Sequence, residues 1–153
     1  MIRTFMEELA RIMAKDRRVV LLCGDVMTGT DPVRVAVPDR LFNVGVIEQS
    51  MVGIGAGMAS VGLRPVLWSM APFVLERPFE AIKMDLDRPD SGVILAGFDH
   101  PDYSPSHCAL DARKTVSLFH HIDGHFPKTA QDAADALHTA LRYDGSSFIM
   151  LKR

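Results

Sequence analysis

The chain of 153 residues is about the length of one ordinary domain, so a single hydrophobic core is expected and a second unit of comparable size has no room. Apolar residues make up 48% and charged residues 24%, the balance of a soluble globular domain rather than a disordered segment. A formal charge of −2 with interspersed signs offers no basic face for nucleic acid, and no apolar run reaches membrane-spanning length.

At the start, Phe5, Leu9, Ile12 and Met13 have the spacing of a helix with one buried stripe. The same stretch is charged throughout and lacks the apolar core of a secretion signal. VVLLCG at 19–24 is a short apolar run between Arg17-Arg18 and Asp25, which predicts a strand buried on both faces of a parallel sheet. The alternation continues with LFNVG at 41–45, a helix over 48–61, RPVLWS at 64–69, a helix over 73–87 and GVILAG at 92–97. GFDHPDYSPSH at 97–107 is too rich in turn formers for regular structure and predicts a loop at a strand's carboxyl end. The segment around His120, His121, Asp123 and His125 follows no common zinc spacing, and it is expected to be a structural or surface connection back to the sheet. Thr129 and Asp132 then resemble a capping box ahead of helically spaced Ala133, Leu137, Ala140 and Leu141, and SFIML at 147–151 predicts a last strand.

These elements predict one α/β domain over residues 1–153, a mostly parallel sheet with helices on both faces. Cys23 and Cys108 belong to no C-x-x-C pair, which argues against a disulfide framework or structural zinc and fits a reducing cytoplasm.

The segment FNVGVIEQSMVGIGAGMASVGLRP at 42–65 holds a carboxylate, Glu48, between a strand and a helix bearing Gly53, Gly55 and Gly57. Each interior glycine costs a helix about 1 kcal/mol relative to alanine, so close approach is expected, either to the chain's own helices or at a subunit or cofactor interface. A dinucleotide fingerprint would need its glycines in the turn before the helix, and these fall inside it. A glutamate in a helix's first turn ordinarily just stabilises the helix, but apolar Val46, Ile47, Met51 and Val52 around Glu48 argue against a simple solvated cap.

This segment, with RPVLWSMAPFVLERPFEAI after one short strand, GDV at 24–26 and the closing SFIMLKR, resembles the pyrimidine-binding domain of the transketolase family of thiamine diphosphate enzymes. The likeness covers nearly the whole chain and implies the thiamine diphosphate-binding fold. It implies that Glu48 hydrogen-bonds N1′ of the cofactor's aminopyrimidine, favouring the tautomer whose 4′-nitrogen removes the thiazolium C2 proton. Such a carboxyl group must share a proton, which burial favours and a helix's first turn opposes. Phe73 matches the aromatic that stacks on the aminopyrimidine, with Trp68 and Phe79 nearby, although a core phenylalanine at a helix start reads the same way. Arg77 matches a basic residue that in some relatives faces the substrate phosphate, and an arginine there equally makes a surface ion pair.

YSPSHCALD at 103–111 resembles the family's G-P-T-H-Q element and implies that His107 approaches the thiazolium and the substrate's reacting oxygens, handling protons there. His100 is a weaker substrate-contact candidate. This loop departs from the family in being shorter and in its Pro-Asp-Tyr-Ser-Pro approach.

The family holds the cofactor's diphosphate through Mg²⁺ on a G-D-G sequence followed further on by asparagine. Here Gly24-Asp25 is followed by Val26 and the only asparagine is Asn43, so the Mg²⁺ ligands are expected on a partner chain with a pyrophosphate-binding domain, and this chain is expected to contribute no metal ligand. The chain stops at Arg153, just after the last strand, without the third domain of full-length relatives. The resemblance therefore implies a split enzyme, an α2β2 heteromer with the glycine-bearing helix near an interface. The implied activity is two-carbon ketol transfer between sugars. The same residues also suit a beta-type subunit of a thiamine diphosphate-dependent oxoacid decarboxylase or dehydrogenase, and a noncatalytic assembly subunit is a third reading.

Overall fold

The computed structural model describes residues 1–102 and 105–152; Tyr103, Ser104 and Arg153 lie outside the described residues. Six strands form one all-parallel sheet in the order β2-β1-β3-β4-β6-β5. They are β1 (Val19–Cys23), β2 (Leu41–Asn43), β3 (Arg64–Met70), β4 (Ile94–Phe98), β5 (Ile122–His125) and β6 (Ser146–Leu151). Every residue of β1 and β4 is buried, as expected for strands with helices on both sides.

Side chains alternate across the sheet, so one sheet serves two cores. On one face, α1 (Ile2–Lys15) and α6 (Ala130–Arg142) set Phe5, Leu9, Met13, Ala133 and Leu137 against Leu21, Trp68, Ile94 and Ile149. On the other, α3 (Glu48–Ser60), α4 (Phe79–Asp85) and α5 (Ala112–Val116) cover Leu22, Leu67, Leu95 and Phe148. A short α2 (Asp31–Ala36) packs Val33 into the first core. The box predicted before α6 is present: the Thr129 hydroxyl accepts from Asp132 N–H, and the Asp132 carboxylate accepts from Thr129 N–H. No helix among the described residues is long and apolar enough to cross a membrane.

The sequence expectations need two corrections. The connection expected near residue 123 contains β5, an edge strand paired to β6 from Ile122 to His125; four residues with Asp123 and Gly124 in the middle carry too little apolar pattern to be read as a strand. The single helix expected over 73–87 is two pieces. Pro72–Glu76 is a wide π turn closed by Arg77 N–H donating to Pro72 O at 2.8 Å, and α4 starts anew after Pro78, whose missing N–H cannot continue a helical ladder. Of the three glycines of α3, only Gly55 is pressed against the chain itself: a Cβ there would meet Leu67 at 3.2 Å. Gly57 meets nothing, and Gly53 would make ordinary contact with Asp85.

β1 lies between β2 and β3, so the chain winds away from it in both directions. The crevice at the carboxyl ends of β1 and β3 is the switch point at which parallel α/β sheets place ligands. At the neighbouring carboxyl end of β4, Gly97 permits a close approach, since a Cβ would lie 2.8 Å from Ala71 Cα in the segment leaving β3.

Candidate active site

The five candidate side chains come from segments that follow the carboxyl ends of three strands: Glu48 after β2, Phe73 and Arg77 after β3, His100 and His107 after β4. Between β2 and Glu48, the Asn43 side-chain carbonyl accepts from Gly45 N–H (3.0 Å) and from Asp25 N–H (3.2 Å), which ties the end of β2 to the end of β1. Asp25 takes a left-handed backbone, φ 66°, a conformation Asp tolerates better than most residues.

Glu48 opens α3 and is buried, with a relative exposure of 3%. Val46 and Ile47, expected to cover it, are themselves exposed, and of that group only Met51 and Val52 belong to the core. The partner of the carboxylate is Arg77, whose Nη1 donates to Oε1 at 2.5 Å. The same guanidinium lies over the Phe73 ring, its Cζ 4.0 Å from the centroid. The other neighbour of Phe73 is His107, at a centroid separation of 5.3 Å and 67° between planes. Glu48, Arg77, Phe73 and His107 thus form one continuous run of contacts.

His100 is joined to this run through the backbone, its N–H donating to His107 O at 3.0 Å, and the His107 ring Nδ1 is 3.0 Å from Ser106 Oγ. Two carboxylates shape the far side of the loop: Asp99 accepts from Ala109 N–H at 2.9 Å, and Glu76 from Leu110 N–H at 2.7 Å. The other aromatics lie elsewhere. Trp68 is in the first core between Phe5 and Phe98, its indole N–H donating to Thr28 O at 3.1 Å, and Phe79 packs on Phe119 at 4.9 Å. His120 and His121 donate their backbone N–H groups to Asp87, and His125 sits 3.4 Å from Asp123. Among the described residues no group of three or more histidines, cysteines or carboxylates is placed to hold a metal ion.

The residues present fit an aminopyrimidine on one observation. A single flat group bearing N–H donors, the Arg77 guanidinium, reaches the Glu48 carboxylate and the Phe73 face at the same time. Sequence reasoning missed the supporting contacts, namely Asn43 with Asp25, and Gln49, whose Nε2 donates to Arg77 O at 3.4 Å. Their signals were present in Gly24-Asp25 directly after a buried strand and in the glutamine that follows Glu48.

Comparison with known proteins places the chain in a family. The chain is 33% identical over 141 residues to the "Uncharacterized 33.6 kDa protein in fasciation locus" of Rhodococcoides fascians, covering 89% of this chain and 45% of that protein. It is 33% identical over 159 residues to an apulose-4-phosphate transketolase subunit of Actinobacillus succinogenes, covering 95% of this chain and 51% of that one. Among solved structures, a protein described as "Split gene transketolase, inactive beta4 tetramer" superposes with a TM-score of 0.87 at 26% identity, over 98% of this chain and 50% of that one. The chain spans about half the length of these relatives. A family model matches residues 1–153, and the chain belongs to the family described as the transketolase pyrimidine-binding domain.

Proposed function

We propose that this chain is the pyrimidine-binding part of a transketolase-type enzyme that moves a two-carbon ketol unit from one sugar to another, working with a partner that carries the pyrophosphate-binding domain. The observation that carries the reading is the buried Glu48 carboxylate next to the Phe73 ring, both touched by one planar N–H donor. Thiamine diphosphate, when bound, supplies the carbon nucleophile that cleaves and forms the carbon–carbon bonds. Glu48 holds the proton at the pyrimidine ring nitrogen, and its burial keeps water from competing for that hydrogen bond. Phe73 fixes the plane of the ring. His107, against the edge of Phe73, exchanges protons with the sugar oxygens, and His100 holds the His107 backbone in place as well as facing the substrate. Arg77, 41% exposed, is the cation this reading assigns to a sugar phosphate.

The partner is supported by the exposed apolar side of α3, where Ile54, Val46, Ile47 and Val61 meet solvent and Gly57 has nothing against it. It is also supported by the Actinobacillus succinogenes relative, itself named as one subunit of a transketolase, and by the neighbour described as an inactive beta4 tetramer of a split-gene transketolase. An α2β2 assembly with Mg²⁺ held on the partner follows this reading. Cys23 and Cys108 are not joined to each other, which suits a reducing cytoplasm.

The test is calorimetry of thiamine diphosphate and Mg²⁺ with the chain alone, with a candidate partner, and with the partner and Glu48→Gln. Binding only in the mixture, with ketol transfer lost in Glu48→Gln by at least about 10²-fold, is the expected outcome. Full activity of Glu48→Gln removes Glu48 from the mechanism.

A further inference from the structure

We infer that Arg77 is an internal stand-in for the aminopyrimidine, so that cofactor binding is an exchange: the ring enters, and the Arg77 side chain leaves both Glu48 and Phe73. The inference rests on the reading of those two residues as cofactor contacts.

A carboxylate 3% exposed and without a partner is costly, because burial removes its water and returns nothing. Arg77 supplies the compensation with a hydrogen bond of 2.5 Å. It does so in a particular pose: the guanidinium is planar, its centre stands 4.0 Å over the Phe73 centroid, and its edge donates an N–H to Glu48 Oε1. A flat ring with an N–H at its edge makes these same two contacts, and the face of Phe73 that the guanidinium covers does not accommodate both occupants. Two equilibria then share one site, and the apparent affinity for the second occupant falls by the fraction of molecules in which Arg77 has vacated it.

The backbone permits the exchange. Arg77 N–H is held by Pro72 O at 2.8 Å as the closing bond of the π turn, and Arg77 O accepts from Gln49 at 3.4 Å, so the main chain is anchored on both sides. The side chain is 41% exposed and has an open route to solvent. The displaced guanidinium, tethered by that backbone, then stays beside the same residues, where its charge serves an anionic substrate. Ordered addition follows: cofactor first, then the phosphate-bearing sugar, which meets a guanidinium released from Glu48.

The experiment measures the dissociation constant of Mg²⁺-thiamine diphosphate by calorimetry on the assembled complex of wild-type chain and partner, and on complexes with Arg77→Met, Arg77→Lys, Glu48→Gln and Arg77→Met with Glu48→Gln. Arg77→Met is expected to tighten cofactor binding about fivefold while raising the KM for the sugar phosphate. Arg77→Lys, which keeps the charge and loses the flat face, falls between wild type and Arg77→Met, and it decides the matter if Arg77→Met does not assemble. The tightening disappears in the Glu48→Gln background, because the contact being exchanged has gone. Unchanged or weaker cofactor binding in both Arg77 variants overturns the inference. If Arg77→Met with Glu48→Gln binds the cofactor as tightly as Arg77→Met alone, Glu48 makes no contact with it and the underlying reading of the site fails instead, so the two failures are distinguishable.

Discussion

On one face of the sheet, α1 and α6 bury Phe5, Leu9, Met13, Ala133 and Leu137 and turn Arg3, Glu7, Arg11 and Asp135 outward, with Glu8 linking the two helices through His138. On the other face, α3 is apolar nearly all round. After burying Met51, Val52 and Gly55 it still leaves Ile54 exposed, with Val46, Ile47 and Val61 at its ends. The first helix pair is complete within the chain, with an amphipathic stripe and ion pairs suited to water. The second carries apolar surface and a buried carboxylate that its own fold does not fully use. A single sheet thus separates a side closed by its own amphipathic helices from a side that keeps exposed apolar residues and a buried carboxylate.

The largest effect is expected where the closed face is broken. Trp68 is fully buried between Phe5 and Phe98, so Trp68→Ala removes about 3–5 kcal/mol of stability, read as a fall in the denaturant midpoint. A change under about 1 kcal/mol there would show that this core is not what holds the domain.

A smaller and pH-dependent effect is expected at the bridge between α1 and α6. The Arg11 guanidinium, hydrogen-bonded to the Glu8 carboxylate, and His138 beside it hold that carboxyl down at about 2 from its usual 4.5, against the opposing effect of burial. A carboxylate lowered in the folded state stabilises fully above the unfolded value and loses that contribution as pH falls through the folded one. The melting-temperature advantage of the wild type over Glu8→Gln should therefore be intact above pH 4.5 and vanish as the pH approaches 2. An advantage that is the same at every pH would assign Glu8 a packing role only.

The smallest effect on the chain's own stability is expected on the open face. Ile54 is 39% exposed, and Ile54→Asp should change stability by no more than about 0.5 kcal/mol while abolishing association with the partner in size-exclusion experiments. Retained association would move the interface away from α3.

Much of the architecture was legible because buried parallel strands and amphipathic helices write their period into the chain. VVLLC became β1 with all five residues buried, and the Thr129 box capped α6 as its spacing promised. The failures are local and physical. Pro78 and the π turn divide what looked like one helix, because apolar periodicity over 73–87 does not register a missing N–H as strongly as the backbone does. β5 escaped notice because an edge strand needs only one good neighbour, and β6 supplies it. In the α3 glycine run, identical residue types carry different meanings: Gly55 meets Leu67 and Gly57 meets nothing. Spacing along a helix gives the face, and only the sheet beneath it says which face is covered.

For the candidate site, the sequence by itself determined the residue types and their order, a glutamate at a helix start, an aromatic and an arginine after the next strand, and histidines in the loop after β4, because strand alternation sends each of those segments to the same end of a parallel sheet. It also determined the likeness to a family. Only the tertiary structure decided that Arg77 turns inward to Glu48 rather than outward to solvent, that its guanidinium lies on Phe73, and that Trp68 and Phe79 belong to other packing groups. Those outcomes depend on which buried charge finds a partner and which ring finds a neighbour across segments far apart in the chain. Glu48 and Arg77 are separated by 29 positions, and no local pattern encodes a contact at that range.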